Sequence, residues 1–381
     1  MQLAFSIIIV ASCVYVCLDL VATYFLTRPK DIRHFGEDAP GVSILKPAKG
    51  ADDDLYENIA SFCQLTYPNY ELIVCIADKE DPAWAVTERV IEAYPETDIR
   101  LIQTEPSESL NPKVASLETM ARHMKHDLML ISDSNVRVTP DYLSDMVQAY
   151  EPEEVGIVTN LICGSGEETV AAAFENLFLN GIVLAGFVFM GFYVRQPQPI
   201  GKSMLFSYKK FVELGGFAPY YRKIATEDIF MYRRFEKAGY KAAYGSLPIF
   251  NHNRQWRMSQ LIERHLRWAR VRLRTVPGPY LIEPIASPLF ASLVWLVASA
   301  GHPNALVGFG CAYFVEALRH ALHAKWLGRT LPSLLTFLLL PVFATGHVLL
   351  IAIAPWKSTI SWRGKEYNIT WQTDLVDDTA E

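Results

Sequence analysis

At 381 residues, with 51% hydrophobic and 20% charged, the chain is too apolar for an ordinary soluble enzyme and too charged to lie wholly within a membrane. Its net charge of -6 and the lack of a clustered basic face exclude nucleic acid as a partner class. The six cysteines (Cys13, Cys17, Cys63, Cys75, Cys163, Cys311) show no CxxC spacing, so neither a zinc site nor a disulfide framework is inferred.

Residues 3–26 form an apolar stretch of the length a bilayer core requires. A signal peptide is disfavoured, because no basic region precedes the stretch and no small-residue cleavage site follows it. Arg28, Lys30 and Arg33 come next, which by the positive-inside rule puts the following domain in the cytoplasm. Asp19 falls within the stretch and is read as a helix-packing residue or a site of local thinning.

From 41 to about 250 the chain alternates strand and helix patterns. Gly41–Pro47 reads as a strand, Asp54–Cys63 as a helix, Tyr70–Ala77 as a strand and Trp84–Tyr94 as a helix. Ile99–Gln103, a helix from about Lys113 to His123 and a strand from 127 to 132 continue the alternation. The pattern predicts an α/β fold, a mostly parallel sheet covered by helices on both faces. No GxGxxG opens the first helix and no Walker lysine appears, so a dinucleotide fold or a P-loop is disfavoured.

The apolar run Asp127–Ser132 ends abruptly in Asp133, Ser134 and Asn135. Ligands of open α/β sheets sit at the carboxyl ends of strands, so Asp133 is a first candidate site residue, although the same residue types also make plain turns. Asp78 and Asp81 follow the second strand in the same way. Thr226-Glu227-Asp228 precedes a helical pattern, with Thr226 as its expected N-cap and the two carboxylates in a first turn that would also favour them for capping. Arg264-His-Leu-Arg267-Trp268 lies on a basic helix that could equally rest on anionic headgroups.

Residues 170–194 are almost uncharged, which suits either a buried helix or, as favoured here, one dipping into the membrane interface beside the site, with Val188 and Phe189 near its end. The strand-like Gly201–Ser207 follows. Beyond Pro277, three apolar segments (286–300, 304–322 and 332–354) read as spans. That count puts the tail outside, whereas Lys357, Arg363 and Lys365 argue for inside. His302, His320, His323 and His347 lack ligand spacing and read as structural. The expected organisation is an N-terminal anchor (1–27), an α/β domain (28–276) with the interfacial segment 170–194, C-terminal transmembrane helices (277–356) and a tail (357–381).

Taken together, Asp81, Asp133, Asp228 and Arg264–Trp268 resemble the D, D, D, Q/RxxRW pattern of processive and lipid-modifying inverting glycosyltransferases of GT-A fold. The similarity is greatest to the ceramide glucosyltransferase family (glycosyltransferase family 21) and covers nearly the whole chain. Gly41–Gly50, Glu80–Ala83, Asn111-Pro112-Lys113, Asp133–Arg137 and Thr359–Arg363 carry it. One departure from the common DxD pattern is Asn135, a neutral and weaker ligand for a hard cation than a carboxylate.

The resemblance implies a membrane-bound enzyme that moves glucose from UDP-glucose to the primary hydroxyl of ceramide. A hopanoid or other lipid acceptor, with UDP-GlcNAc or another UDP-sugar, is the alternative. A polysaccharide synthase with a channel and an inactive lipid-binding scaffold are the readings from other classes. Expected localisation is integral membrane with the catalytic domain cytoplasmic, in the inner or plasma membrane of a bacterium or the Golgi or ER of a eukaryote. In this chemistry Asp78 or Asp81 holds the base or ribose, and Asp133 holds Mg²⁺ or Mn²⁺ on the diphosphate. Lys113 and Arg267 offset its charge, with Arg264 and Trp268 also on the donor side. Asp228 takes the acceptor proton in a single inverting displacement. Trp268, Phe189 and Glu227 face the acceptor.

Overall fold

The alternation read between residues 41 and 132 folds as a sheet whose strands are nearly all buried on both faces, which is why they are continuous apolar runs and not polar/apolar alternations. The computed structural model describes residues 2–51, 54–217, 219–362, 365–371 and 373–376, so Arg363 lies outside the described residues. In chain order the first elements are α1 (Gln2–Leu26), β1 (Val42–Ala48), α2 (Leu55–Cys63), β2 (Tyr70–Ile76), α3 (Pro82–Ala93), β3 (Ile99–Gln103), α4 (Pro112–Ala121) and β4 (Leu128–Ser132). Then come β5 (Val136–Arg137), α5 (Tyr142–Ala149), β6 (Val155–Thr159), β7 (Ile162–Ser165), α6 (Val170–Leu177), α7 (Leu184–Phe189), β8 (Ser203–Ser207), α8 (Tyr208–Glu213) and α9 (Glu227–Lys237). β9 (Lys241–Tyr244), β10 (Ile249–His252), α10 (Met258–Thr275), α11 (Pro277–Ile282), α12 (Pro288–Ala298) and α13 (Pro303–Trp326) follow. The last are α14 (Leu334–Leu338), α15 (Leu340–Ile353), β11 (Thr359–Trp362), β12 (Lys365–Ile369) and β13 (Leu375–Val376).

The chain divides into two units. One comprises Arg28–Cys163 and Met190–His252. Its seven-stranded sheet has the order β3-β2-β1-β4-β8-β6-β9. β3, β2, β1 and β4 are parallel, and β8 is antiparallel to both of its neighbours. The expected mostly parallel α/β architecture is therefore present. Alternation along β1 sends Leu45 into a core with Val114, Leu117, Met129, Phe206, Phe211 and Phe235, while Lys46 points the other way, over the Phe62 ring at 4.0 Å.

The helix starts differ from expectation in an instructive way. α3 and α4 begin two residues and one residue earlier than read, at Pro82 and Pro112. Asp81 and Asn111 cap them with side-chain oxygens, and proline at the first helical position has no N–H to leave unpaired. Two of the resemblance motifs, Asp81-Pro82 and Asn111-Pro112, are thus also helix-start signals.

The other unit comprises Met1–Thr27, Gly164–Phe189 and Asn253–Glu381. Contacts thus draw the boundary differently from composition, because residues 164–189 and α10 pack with apolar helices: Tyr15 of α1 meets Phe189, and the Tyr280 hydroxyl donates to the Ile351 carbonyl at 2.6 Å beneath Ala269 of α10. Among the described residues, three helical stretches are long and apolar enough to cross a membrane: Gln2–Leu26, Val170–Val194 and Pro303–Trp326. This fits integral membrane association. α12 and the stretch Leu340–Trp356 are apolar but shorter, so of the three expected C-terminal spans only one reaches full length.

Several buried polar groups inside this unit pair with each other. Asp19 is fully buried; its carboxylate lies 3.3 Å from His323 Nε2 and accepts from Thr23 Oγ1 at 3.1 Å. His323 Nδ1 lies 2.7 Å from the Asn180 carbonyl. Asp19 is thus a helix-packing residue. The tail is more ordered than its composition signalled: β11, β12 and β13 form an antiparallel sheet. Arg267 Nη1 donates to the Ser361 carbonyl at 3.0 Å and Arg270 Nη1 to that of Thr359 at 2.7 Å.

In the α/β unit, Glu71 is buried on β2 and accepts from Ser43 Oγ at 2.5 Å and Lys125 N at 2.6 Å while pairing with Arg100. Glu71→Ala removes the acceptor from three donors at once. It should lower unfolding stability by about 2–4 kcal/mol, read from the chemical-denaturation midpoint. A loss under about 0.5 kcal/mol, the range of neutral surface changes, would show that the cluster does not hold the strands.

Candidate active site

Four segments converge at the carboxyl end of β4. Asp133 follows the strand directly, Lys113 lies in the first turn of α4, Gly201 and Lys202 precede β8, and Glu227 and Asp228 open α9. The antiparallel register pairs Ser132 with Ser203, which brings the residue before Ser203 alongside the one after Ser132. Lys202 consequently meets Asp133.

Lys113 is the hub. Its ammonium lies 2.9 Å from Asp133 Oδ1 and 3.0 Å from Glu227 Oε1, and donates to the Gly201 carbonyl at 2.7 Å. Lys202 Nζ is 3.2 Å from Asp133 Oδ2 and donates to Asn135 Oδ1 at 2.7 Å. Beneath them the buried Lys46 donates to the carbonyls of Asp133 (2.7 Å) and Val136 (3.3 Å) and to Ser132 Oγ (3.2 Å), which fixes the turn after β4 from its backbone side.

Asp228 Oδ2 accepts from Gly201 N at 2.9 Å and Oδ1 from its neighbour Ile229 N at 2.8 Å. Thr226 occupies the N-cap position as expected but makes no side-chain bond to the first turn. Glu227 is buried, with Oε2 accepting from Asn111 Nδ2 at 3.2 Å.

These neighbours separate the carboxylates electrostatically. Burial and then the adjacent Glu227 push the Asp228 carboxyl up to about 6, against the pull of Lys113 and two backbone N–H groups. Burial would likewise raise Asp133, but the ammonium groups of Lys113 and Lys202 outweigh it and hold this carboxyl below its usual range. Burial works against the charge of Lys113, yet Asp133, Glu227 and Asp228 keep it above the usual lysine range. Burial depresses Lys46 well below that range, Asp133 only partly offsetting it. The result is one carboxylate fixed as an anion and another poised near neutrality, a division suited to charge-holding and proton transfer.

The structure thus brings Lys113, Asp133, Glu227 and Asp228 together. Asp81 lies in the loop after β2, which β1 separates from β4, and its Oδ1 accepts from Gly50 N at 2.8 Å and Ala83 N at 2.9 Å. Asp78 is exposed in the same loop, and its Oδ1 accepts from Glu80 N at 3.0 Å. Arg264, Arg267, Trp268 and Phe189 belong to the other unit. There Arg264 Nε pairs with the buried Glu175 at 3.0 Å and its guanidinium stacks over Trp268 at 4.5 Å, while Trp268 packs on Phe178. Lys46, Lys202 and Gly201 were not singled out from the sequence. Each sat inside a segment read only as a strand, and the signal for Lys202 was its place one residue before a strand pairing with the strand that ends at Asp133.

The donor set accommodates a divalent cation. Asp133 Oδ2 and Asn135 Oδ1 are hard oxygens that converge on one point, marked by the Lys202 ammonium, and Mg²⁺ sites commonly take only one or two protein carboxylates, completing their shell with phosphate and water. Among the described residues no group of three His, Cys, Asp or Glu side chains could hold a metal alone.

A model of glycosyl transferase family 21 matches residues 4–375. Ceramide glucosyltransferase 3 of Caenorhabditis elegans is 29% identical over 94% of this chain and 80% of its own length. Ceramide glucosyltransferase 1 of the same organism is 28% identical over 67% of this chain and 54% of its own. Among solved structures, a Pyrobaculum calidifontis mannosyltransferase in complex with GDP-Man and Mn²⁺ is similar at a TM-score of 0.49 and 16% identity, covering 92% of this chain and 99% of that one. The chain belongs to glycosyl transferase family 21. It is a UDP-sugar-dependent glycosyltransferase.

Gly201 gives a direct test of the site's packing. A Cβ there would lie 2.9 Å from Asp228 Oδ2 and 3.0 Å from Lys113 Nζ, so Gly201→Ala displaces these two side-chain ends and no core residue. Turnover of the donor should fall by about tenfold or more, one lost polar contact at a reacting group being worth that much, with the melting temperature nearly unchanged. Unaltered kinetics would mean that neither side chain is held where the reaction needs it.

Proposed function

We propose that the chain transfers glucose from UDP-glucose to the primary hydroxyl of ceramide with inversion, Asp228 acting as the base. The observation that carries this reading is Asp228 itself: a half-buried carboxyl pushed up to about 6, held by the Gly201 N–H and set beside the Lys113–Asp133 pair at the carboxyl end of the sheet. A general base works best with a pKa near the operating pH, and a carboxylate of ordinary acidity would be a poorer acceptor of a hydroxyl proton. The names of the ceramide glucosyltransferase relatives support ceramide as the acceptor class.

In this reading Asp78 and Asp81 receive the base and ribose, and Lys113 and Lys202 offset the diphosphate charge. Asp133 with Asn135 would hold Mg²⁺ or Mn²⁺, which supplies charge stabilisation on the departing UDP when bound. Asp228 removes the proton from the acceptor hydroxyl as its oxygen attacks the anomeric carbon on the face opposite the leaving group, so an α-linked donor gives a β-glycoside. Glu227, buried against Lys113 and Asn111, suits orienting the cluster as well as facing the acceptor. Arg264, Arg267 and Trp268 are assigned to donor and acceptor contacts by motif, and Phe189 to the acceptor by its place in the uncharged stretch 170–194. The basic residues Arg28, Lys30 and Arg33 after α1 support a cytoplasmic catalytic unit in this reading.

The decisive assay is radiolabelled UDP-glucose with membranes carrying the chain and a panel of ceramide, polycyclic-lipid and sugar acceptors. A single-sugar ceramide product is expected. A glycosylated polycyclic lipid would move the acceptor class, a long polymer would favour a synthase, and no transfer would leave a binding scaffold.

The base assignment makes its own prediction. Only the carboxylate form accepts a proton, so kcat/KM should rise with pH through about 6 and level off above it. Asp228→Asn should remove that limb and cost about 10²- to 10⁴-fold in turnover while UDP still binds. A variant within tenfold of the unsubstituted enzyme would assign the proton to another group.

A further inference from the structure

The oxygens suited to a divalent cation already face a positive charge that belongs to the chain. Lys202 Nζ bridges Asp133 Oδ2 (3.2 Å) and Asn135 Oδ1 (2.7 Å), the first and third positions of the Asp-Ser-Asn turn. Its Cα is fixed by the β4–β8 register, and the residue is 6% exposed, so the ammonium is not a surface group that swings in by chance. Asp133's second oxygen is taken by Lys113 at 2.9 Å. A single carboxylate charge is therefore shared between two ammonium groups before any metal arrives.

We propose that Lys202 is a resident cation that competes with the divalent metal for Asp133 Oδ2 and Asn135 Oδ1, so that the metal binds weakly until a nucleoside diphosphate arrives to receive the displaced ammonium. A metal ion bonds oxygen at about 2.0–2.1 Å, and with both oxygens in its shell it would share the ammonium's position. The two cations repel strongly in a site shielded from water. Lys202 must then leave, and its charge needs a new partner. A diphosphate oxygen is the natural one, since it also enters the metal's coordination shell. Metal and diphosphate thereby favour each other's binding, and the coupling is reciprocal. Asn135 fits this scheme: an amide carbonyl accepts from an ammonium well but adds no charge to retain a bare metal ion.

This inference rests on the donor reading only for the diphosphate; the contest between Lys202 and the metal stands without it. The test uses the full chain in detergent, with Mn²⁺ titrated alone and with UDP and the free aquo-ion followed by electron paramagnetic resonance. Removal of an ammonium from beside a carboxylate shifts its affinity for cations by about tenfold or more, so Lys202→Met should bind Mn²⁺ alone that much more tightly than the unsubstituted chain. Lys202→Arg, which keeps the charge, should not. UDP should tighten Mn²⁺ binding strongly in the unsubstituted chain and far less in Lys202→Met. Equal Mn²⁺ affinity in the two proteins, or weaker binding by Lys202→Met, overturns the competition. A second measurement needs no substitution: acylation of Lys202, followed by mass spectrometry, should accelerate severalfold at saturating Mn²⁺, and an unchanged rate overturns the proposal equally. If UDP has no effect while Mn²⁺ alone still distinguishes Lys202→Met, the donor reading fails and the competition survives.

Discussion

The site depends on the Lys113 ammonium. Three carboxylates, Asp133, Glu227 and Asp228, bear on it from two different elements, and it also bonds the Gly201 carbonyl. Buried carboxylates that close would repel one another and refuse to ionise together without it. Because α4 is capped by Asn111 and started by Pro112, the first turn that carries Lys113 has little freedom. The same Asn111 side chain reaches Glu227, so one cap ties the start of α4 to the start of α9. Local helix-start chemistry and long-range charge balance are here the same set of atoms.

That overlap explains what was legible in the sequence. Most of the parallel strands could be read because burial on both faces makes them largely apolar runs closed by a polar turn, and the last such turn displays Asp133. Asp228 was visible because Thr226-Glu227-Asp228 marks a helix start and fits the third Asp of the D, D, D, Q/RxxRW pattern. Lys202 and Lys46 were not, since both lie in segments whose period says only strand. Their importance comes from register: β8 runs antiparallel to β4, and one strand direction decides whether Lys202 meets Asp133 or lies at the far edge. Periodicity carries no information about strand direction.

The membrane-type unit obeys a different constraint. Where water is absent, a buried polar group needs a protein partner, and this unit supplies one for several of the groups that the sequence displayed as isolated oddities. Asp19 looked anomalous in an apolar helix until His323 and Thr23 were found beside it. Two histidines pair with carboxylates elsewhere in the unit: His265 with Glu175 at 2.9 Å, and His347 with Glu283 at 2.6 Å. The arginines of α10 likewise have partners within the unit, Arg264 at Glu175 and Arg270 at the Thr359 carbonyl. A reading based on hydropathy saw a basic interfacial helix and could not see the small sheet that its guanidinium groups help to hold.

The helical stretch after Val170 is not wound uniformly. Residues Phe178–Val183 form a π-helical turn, bonded i to i+5, and within it Asn180 is fully buried, its side chain bonded to both the N–H (2.9 Å) and the carbonyl (2.8 Å) of Gly164. Its own carbonyl faces His323. A wider turn holds more residues per revolution than an α-turn, so it absorbs about one extra residue, and loss of that residue would let the helix revert to ordinary winding with the faces beyond it still in register. Phe189 would stay against Tyr15 and Val188 would stay buried, whereas the same loss in an α-wound stretch would turn both by about 100°. Sequence length in this stretch is therefore buffered against rotation. Among chains of this kind, a gap at residues 178–183 would mark a lost bulge with the apolar face kept in place, and the contacts of Asn180 would be what it removes.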